Sequence, residues 1–400
     1  MTRWPRVQLR RIAHLAYGDS LADSERLDGL VPVYGSNGKV GVHDRANTSA
    51  PVLIVGRKGS FGKVQFSDEK VFAIDTTFYI DASQSRADLR WLYYAISTLG
   101  LDSLSEDVGV PGLSRERAYA QRLPLPKPDE QRAMANCLDT ETARIDALIE
   151  KKRRLVALLE ERVHSTTVAV VLGDFGQQGS PSRSGFFRVA PASWSETSLR
   201  HLDCEVQTGP FGSQLHSGEY VEGGWPVVNP MNLVDGSILA VETMTVTDNK
   251  RAELARHILR IGDIVFGRRG EMGRAGLVDD RSEGWLCGTG SLRLRLRGTR
   301  LLPEYLKLLL ETAPLRAYFE LSSVGSTMDN LNSEILLACP VLVPELIQQR
   351  LIITEVESTQ RSHRAAQAAL RQQIDLLVEH RQALITAAVT GELDIPGVAA

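Results

Sequence analysis

The sequence predicts an α+β protein: two mixed α/β domains, related by duplication and separated by two long helices that form an antiparallel coiled coil. The first observation is that the 400-residue chain is written twice. Gly173 meets Gly391 at an offset of 218 residues (391 − 173), and the same offset sets Arg132 on Arg350, Pro126 on Pro344 and Leu113 on Leu331. The second is a loop, GRKGSFGKV at 56–64, that returns as GRRGEMGRA at 267–275. The third is that each copy closes with about forty residues lacking Pro and Gly, which end at Gly173 and Gly391. That is far beyond the ~10–14 residues of an average helix. A period of about 200 exceeds the ~20–50 residues of solenoid repeats, so the repeated object is a domain. Duplicated halves commonly meet about a two-fold axis, which suits a target with two halves.

Each copy starts with a tryptophan segment, WPRVQLR at 4–10 and WSETSLR at 194–200. In the first copy, VPVYGSNGKVGV (31–42) has short apolar runs broken by Gly-Ser-Asn-Gly turn chemistry. PVLIVG (51–56) and AIDTTFYI (73–80) read as short buried strands. The second copy repeats the order with WPVVNPMNLVDGSI (225–238), GDIVFG (262–267) and SLRLRLR (291–297). That last run alternates, which predicts Leu292, Leu294 and Leu296 on a core face and Arg293, Arg295 and Arg297 facing outward. A helix follows in each copy, at 88–98 and 303–312, before the proline-rich LPLPKP (123–128) and CPVLVP (339–344). The expected division is a first domain at 1–127, a long helix at 128–173 and a flexible linker at 174–187. A second domain at 188–343, a second long helix at 344–391 and a tail at 392–400 complete it.

At ~1.5 Å per residue each long helix would run on the order of 60 Å. Ile145, Ile149, Lys152, Val156, Leu159, Val163, Thr166 and Val170 alternate four- and three-residue spacings. His363, Gln367, Leu370, Ile374, Leu377, Arg381, Leu384 and Ala388 do the same at the equivalent positions. This heptad spacing predicts that the helices pair on each other. Lys152 and Arg381 interrupt the seam, and each is matched by an apolar residue in the other copy.

With 43% apolar and 24% charged residues, the composition is that of a soluble globular protein. No apolar run reaches the ~20 residues of a membrane span. No apolar stretch follows the basic N-terminus, so a secretory leader is not expected. Cys137, Cys204, Cys287 and Cys339 are far apart and never form CxxC, which favours the cytoplasm over a disulfide framework or zinc cluster. The formal net charge of −3 is unusual for a nucleic-acid binder, so a DNA reading has to rest on local patches.

The catalytic motifs fail on inspection. GRKGSFGK lacks the glycine at Arg57 and the hydroxyl at Val64 that a phosphate loop needs. Asn229-Pro230-Met231 begins like the site of amino-methyltransferases, but no glycine-rich cofactor loop accompanies it. Asp129 and Glu150 match a metal-nuclease pattern, yet along one helix they would sit ~30 Å apart and could not share a metal. No catalytic residue and no metal ligand is assigned.

What repeats is a turn dense in glycine and cations: Arg57, Lys58, Ser60 and Lys63 in one copy, Arg268, Arg269, Glu271 and Arg274 in the other. Glycine lets a backbone approach a partner closely, and Arg and Lys contact phosphates or guanine edges. A constant frame with different tips suits two modules reading different sequences. Further polar loop candidates are Tyr34, Ser36, Asn37, Lys39 and His43 in the first copy. Gln207, Ser213, Gln214, Asn229 and Asn232 are those of the second. The Arg293–Arg295–Arg297–Arg300 stripe either tracks phosphates or is a solvated strand face.

In their order and doubling these strings resemble the DNA-specificity subunit of type I restriction–modification systems, over essentially the whole chain. VPVYGSNGKVG, GRKGSFGKV and FAIDTTFY are similar to one form of that family's recognition domain, and TGPFGSQL (208–215) with GDIVFGRRGEMGR to another. LPLPKPDEQRAMANCLD (123–139) and, more weakly, VPELIQQRLI (343–352) resemble the start of its spacer helices. VTGELDI (389–395) resembles its C-terminal signature. The resemblance implies two target-recognition domains held apart by paired helices, Ile145, Ile149, Val156, Leu159 and Val163 facing Leu370, Ile374, Leu377 and Leu384. Each domain reads one part of a split site on double-stranded DNA. Two methyltransferase subunits and the restriction subunits are the implied partners. S-adenosylmethionine, ATP and Mg are then held by those partners, none by this chain. The rival expectation is a DNA-cleaving or DNA-modifying enzyme with an unrecognised active site.

Overall fold

A computed structural model of the chain describes residues 3–104, 112–174, 179–234, 236–323 and 331–398. They fall into two compact units, Met1–Leu155 with Ala369–Ala400, and Val156–Ala368.

The first unit holds β1 (Arg6–Gln8), β2 (Ala16–Tyr17), β3 (Val31–Gly35), β4 (Gly38–His43), β5 (Val52–Gly56), β6 (Val64–Ser67), β7 (Phe72–Ala73), β8 (Thr77–Ile80) and β9 (Arg122–Pro124). They form sheets in the orders β2-β8-β5-β6, β4-β3-β7 and β1-β9, with β3 and β7 parallel. Helices α1 (Leu89–Ser97) and α2 (Arg115–Ala120) follow β8, and the long α3 (Pro128–Leu172) follows β9. All four of Val52, Leu53, Ile54 and Val55 in β5 are buried, since Leu53 and Val55 face the main core while Val52 and Ile54 meet Val71 on the other side. A strand covered on both faces needs a continuous apolar run.

The second unit opens with a hairpin of β10 (Gly179–Pro181) and β11 (Val189–Pro191). Its further strands are β12 (Ser195–Ser198), β13 (Cys204–Thr208), β14 (Trp225–Val228), β15 (Leu233–Val234), β16 (Ser237–Ile238), β17 (Thr245–Val246), β18 (Ile264–Gly267), β19 (Ala275–Leu277), β20 (Leu286–Cys287), β21 (Ser291–Leu296) and β22 (Pro340–Val343). The orders are β13-β21-β18-β19, β17-β14-β20 and β12-β22, with β14 and β20 parallel. Strand for strand this is the topology of the first unit. The registers agree too: Gly56 opposes Thr77 as Gly267 opposes Ser291. Helices α4 (Asp248–Glu253), α5 (Pro303–Leu310), α6 (Ala313–Ser323), α7 (Ser333–Ala338) and the long α8 (Leu346–Thr390) complete the chain. The β10–β11 and β15–β16 hairpins and α4 are additions to the common plan.

Each long helix has 45 residues, or roughly 65 Å. Both end on a left-handed glycine, Gly173 at φ +66° and Gly391 at φ +83°. A Cβ on Gly391 would lie 2.7 Å from the ring of Trp4, and one on Gly173 would lie 2.8 Å from that of Trp194. The duplicated tryptophans therefore each close on the helix that ends in their own unit. Within the first unit, Arg381 pairs with Asp146 at 2.9 Å and Lys152 with Gln373 at 2.6 Å, so the helices run antiparallel there. Within the second, Gln367 bonds Glu160, and Val170 and Val171 share a core with Ile352 and Val356. Ile145 and Ile149 are buried; Val156, Leu159, Val163, Leu370, Ile374 and Leu377 are half-buried between exposed neighbours, and Leu384 is half-buried beside the buried Ile385. Thr166 points outward and Thr167 takes its place, because a 3.6-residue helix drifts against a strict heptad count.

The start of each long helix is tied to its domain by a buried glutamine. Gln131 Oε1 accepts from Asp88 N at 2.9 Å while its amide donates to Pro126 O at 2.9 Å. Gln349, at the same offset of 218, accepts from Leu302 N and donates to Arg300 O and Pro344 O, all at 2.8 Å.

Two expectations are corrected. The arginines of β21 form an ion-pair ladder and are not a solvated face. Arg293 is 3% exposed, 2.8 Å from Glu205, and donates to the carbonyls of Arg256 and Ile258. Arg295 bonds Asp263 at 2.6 Å, so alternation marks two packed faces along β21, while Arg297, just past its end, is 61% exposed and bonds Glu205 at 2.5 Å. Burial pushes the Arg293 guanidinium below its ordinary value, and the bond from Arg297 holds the Glu205 carboxyl low. The expected flexible linker is held in its described part: 179–181 pair with β11, Ser182, Arg183 and Ser184 bond Glu196, and Phe187 is in the core. Residues 175–178 of that linker lie outside the described residues.

Candidate nucleic-acid interface

Three loops converge in each unit, and the glycines that let them do so are duplicated. The basic turn is closed by Gly56 N donating to Lys63 O at 2.8 Å, and by Gly267 N donating to Arg274 O at 3.0 Å. Gly59, Gly62, Gly270 and Gly273 all have φ between +71° and +85°, which L side chains rarely adopt. Arg57 N donates to Thr76 O at 2.8 Å and Arg57 O accepts from Leu113 N at 2.8 Å. Arg268 repeats both bonds, to Gly290 O and from Leu331 N, at 2.9 Å. The loop after β2 is pressed onto the same place. A Cβ on Gly18 would lie 2.1 Å from Ile74 O, and one on Gly209 would lie 1.7 Å from Gly288 O. The loop after β3 or β14 is the third, with Ser36 O and Pro230 Cβ each 3.2 Å from where a Cβ on Gly56 or Gly267 would be.

On this common frame the side chains are unlike. In the first unit Asn37 Oδ1 accepts from Lys63 Nζ at 2.8 Å and Ser60 Oγ at 3.4 Å, which draws three candidates together. Ser36 sits beside them, its Oγ 3.7 Å from a Cβ on Gly59. Lys58 is exposed on the turn and Lys39 on β4. The Arg57 guanidinium lies over the Tyr17 ring at 4.8 Å and donates to Asp75 O at 3.1 Å. In the second unit Arg268 Nε donates to Leu331 O at 3.3 Å, Arg269 is exposed, and Arg274 pairs with Glu271 at 3.3 Å. Ser213 and Gln214 are exposed, though Gln214 Oε1 caps Phe211 N at 3.1 Å. Asn229 is half-buried with its amide 3.8 Å from Met244 S.

Some weaker candidates turn out to be framework. His43 is buried, accepts from Leu27 N at 3.1 Å and meets Phe72 edge-on. Asn232 is buried and braces its own turn through Asn229 N and Leu239 O. Gln207 bonds Arg256 and Thr208 O. Sequence reasoning missed Phe211 and Met231, which are 63% and 58% exposed on the same loops. A large apolar residue between Pro210 and Gly212 was the available signal. Burial drives the Cys287 thiol up to about 12, so it is chemically quiet. Among the described residues no helix is long and apolar enough to cross a membrane.

No family model matches the chain. A curated relative, the type I restriction enzyme EcoBI specificity subunit of Escherichia coli, is 21% identical over 381 residues, 88% of this chain and 78% of that protein. Among solved structures, the HsdS subunit from Thermoanaerobacter tengcongensis is 16% identical with a TM-score of 0.52, covering 98% of this chain and 97% of that one. A chain from a study of complex assembly and conformational transition in the type I R-M system is 15% identical with a TM-score of 0.66, covering 98% of both. The fold is that of these chains along its full length, and the resemblance seen in the motifs holds.

Proposed function

We propose that this chain, which shares fold and sequence likeness with type I specificity subunits, is a non-catalytic DNA-reading subunit of a restriction–modification complex. The observation that carries this reading is the converging-loop site, present twice with one backbone plan and two sets of side chains. A binding frame kept constant while its tips differ is what two modules need to read unlike half-sites on one duplex. Exposed Lys58, Lys63 and Arg269 supply charge for phosphates. Ser36, Asn37, Lys39 and Ser60 in one unit, and Ser213, Gln214, Asn229 and Glu271 in the other, supply donors and acceptors for base edges. The recognition domains are residues 1–127 and 188–343, and the partners are DNA, two methyltransferase subunits and the restriction subunits. Those partners carry S-adenosylmethionine, ATP and Mg, and the complex acts in the cytoplasm. The division of labour also accommodates the net charge of −3, since partners share the grip on the backbone.

Replacing residues 1–125 by the matching domain of another specificity subunit tests it. The methylated sequence should change in one half and keep the other. Methylation mapping that shows both halves altered rejects the two-module reading. The purified chain with DNA, Mg²⁺ and S-adenosylmethionine should neither cut nor methylate; either activity would make it an enzyme instead.

A further inference from the structure

We propose that Arg57 and Arg115 form a clamp for DNA phosphodiesters in the first unit, both guanidiniums being racked on the ring of Tyr17. The inference rests on the DNA reading above and assigns Arg57 to the backbone of the duplex, away from base edges. Tyr17 ends β2 with 44% of its surface exposed, its ring 5.1 Å from Phe78. Arg57 Cζ and Arg115 Cζ each lie 4.8 Å from the centre of that one ring. Cation–π contact fixes each guanidinium in orientation but leaves its in-plane N–H donors unspent.

Neither arginine is neutralised. Among the described residues no carboxylate pairs with Arg57 or Arg115, whereas the ladder arginines Arg293, Arg295 and Arg297 are all matched by Glu205 or Asp263. Arg57 gives one bond, to Asp75 O, and the Nε of Arg115 is buried without a partner. Two like charges on one ring repel, and an anion between or beside them removes that repulsion while taking up the spare donors. Phosphate oxygens match the guanidinium fork. A guanidinium held over a ring of its own domain, with one nitrogen tied to a backbone carbonyl, is poorly placed to extend into a groove. It is well placed to meet the sugar–phosphate wall beside the exposed Lys58. The second unit lacks the device: Thr208 stands where Tyr17 does, Ser333 where Arg115 does, and Arg268 is turned onto Leu331 O.

Binding of the full-length chain to its target duplex and to a scrambled duplex, measured by fluorescence anisotropy over a salt series, tests the clamp. Arg115→Ala should weaken both duplexes by the same factor, roughly tenfold near 0.1 M salt, and lower the slope of log K against log salt by about 1. Tyr17→Leu should act in the same direction, and Arg115→Lys should restore part of the slope. A loss confined to the target duplex, or unchanged binding and slope in both Arg115→Ala and Tyr17→Leu, overturns the clamp while leaving the DNA reading intact. A wild-type chain that binds neither duplex, alone or assembled with methyltransferase subunits, overturns the reading and the clamp together.

Discussion

The two units share a backbone plan but fill the space beside their helix pair differently. In the first, Tyr94 bonds Asp139 at 2.6 Å and meets Thr142 at 3.1 Å, Arg90 pairs with Asp139 at 2.8 Å, and Arg90 covers Phe66 at 4.3 Å. On the long helices Ile145 and Ile385 are buried, Ile385 within the main core of the unit. In the second, the positions of Tyr93 and Tyr94 hold Lys307 and Leu308, and those of Ile145 and Ile385 hold His363 and Thr167. There His363 Nδ1 and Thr167 Oγ1 are buried without partners, beside a cavity of about 660 Å³ that also touches Lys307, Glu311 and Arg274. Divergence after duplication has therefore spared the topology, the turn glycines and the glutamine joints, and has loosened the packing of one copy. What is held in common is what places the reading loops.

If the joints are the conserved element, breaking them should have the largest effect. Gln349→Leu leaves Leu302 N and two carbonyls unpaired and should destabilise the second unit by about 3–5 kcal/mol. Gln131→Leu loses fewer bonds and should destabilise the first by about 2–4 kcal/mol. Amide hydrogen exchange, which localises the loss to one unit, checks both; losses below about 1 kcal/mol would mean the joints are incidental. Exchanging the seam layer sharpens the contrast. Ile145→His with Ile385→Thr should cost the first unit about 2–3 kcal/mol, since buried polar atoms then lack partners. Thr167→Ile with His363→Ile should strengthen the second by about 1–2 kcal/mol. If both exchanges destabilise, the cavity and polar layer of the second unit are not loose packing.

Much of this was readable from the chain. The repeat, the long helices and the basic turns depend on local spacing and on glycine, and local signals survive in sequence. Gln131 and Gln349 were readable as well, sitting at the same offset as Arg132 and Arg350, but a glutamine beside a helix start looks like surface until its partners are known. The arginine ladder was not readable: Glu205 lies on another strand and Asp263 on a turn, so nothing near 291–297 announces the partners. The same holds for the Tyr17–Arg57–Arg115 stack, whose members come from three distant segments. His43 looked like a loop residue because it sits in a turn-rich segment, while Phe72 and the backbone of Leu27 that it meets arrive from elsewhere.

The smallest expected effect concerns acid, and it again separates the copies. The face of β21 that carries Arg293 corresponds to the face of β8 that carries Tyr79, whose hydroxyl burial pushes above its ordinary value and which stays neutral throughout the acid range. Glu205 is held below the ordinary glutamate value of 4.5 by the Arg297 bond. Glu196 is also held low, by donors from Ser182, Arg183 and Ser184 against the opposing pull of its burial. A carboxyl whose folded pKa is depressed contributes stability in full above its unfolded value and loses it as pH falls through the folded one. Both groups belong to the second unit, so acidification below about 4.5 should loosen its amides before those of the first. Glu205 is partly exposed, so screening keeps its share under about 1 kcal/mol. Glu205→Gln should remove that share of the pH dependence and also lower stability at every pH, since one amide oxygen cannot accept from both Arg297 and the buried Arg293. Hydrogen exchange between pH 6 and 3, corrected for the intrinsic rate, reads the difference. Equal acid sensitivity in the two units, or a Glu205→Gln profile matching the parent's, would show that the ladder's charge contributes nothing to the contrast.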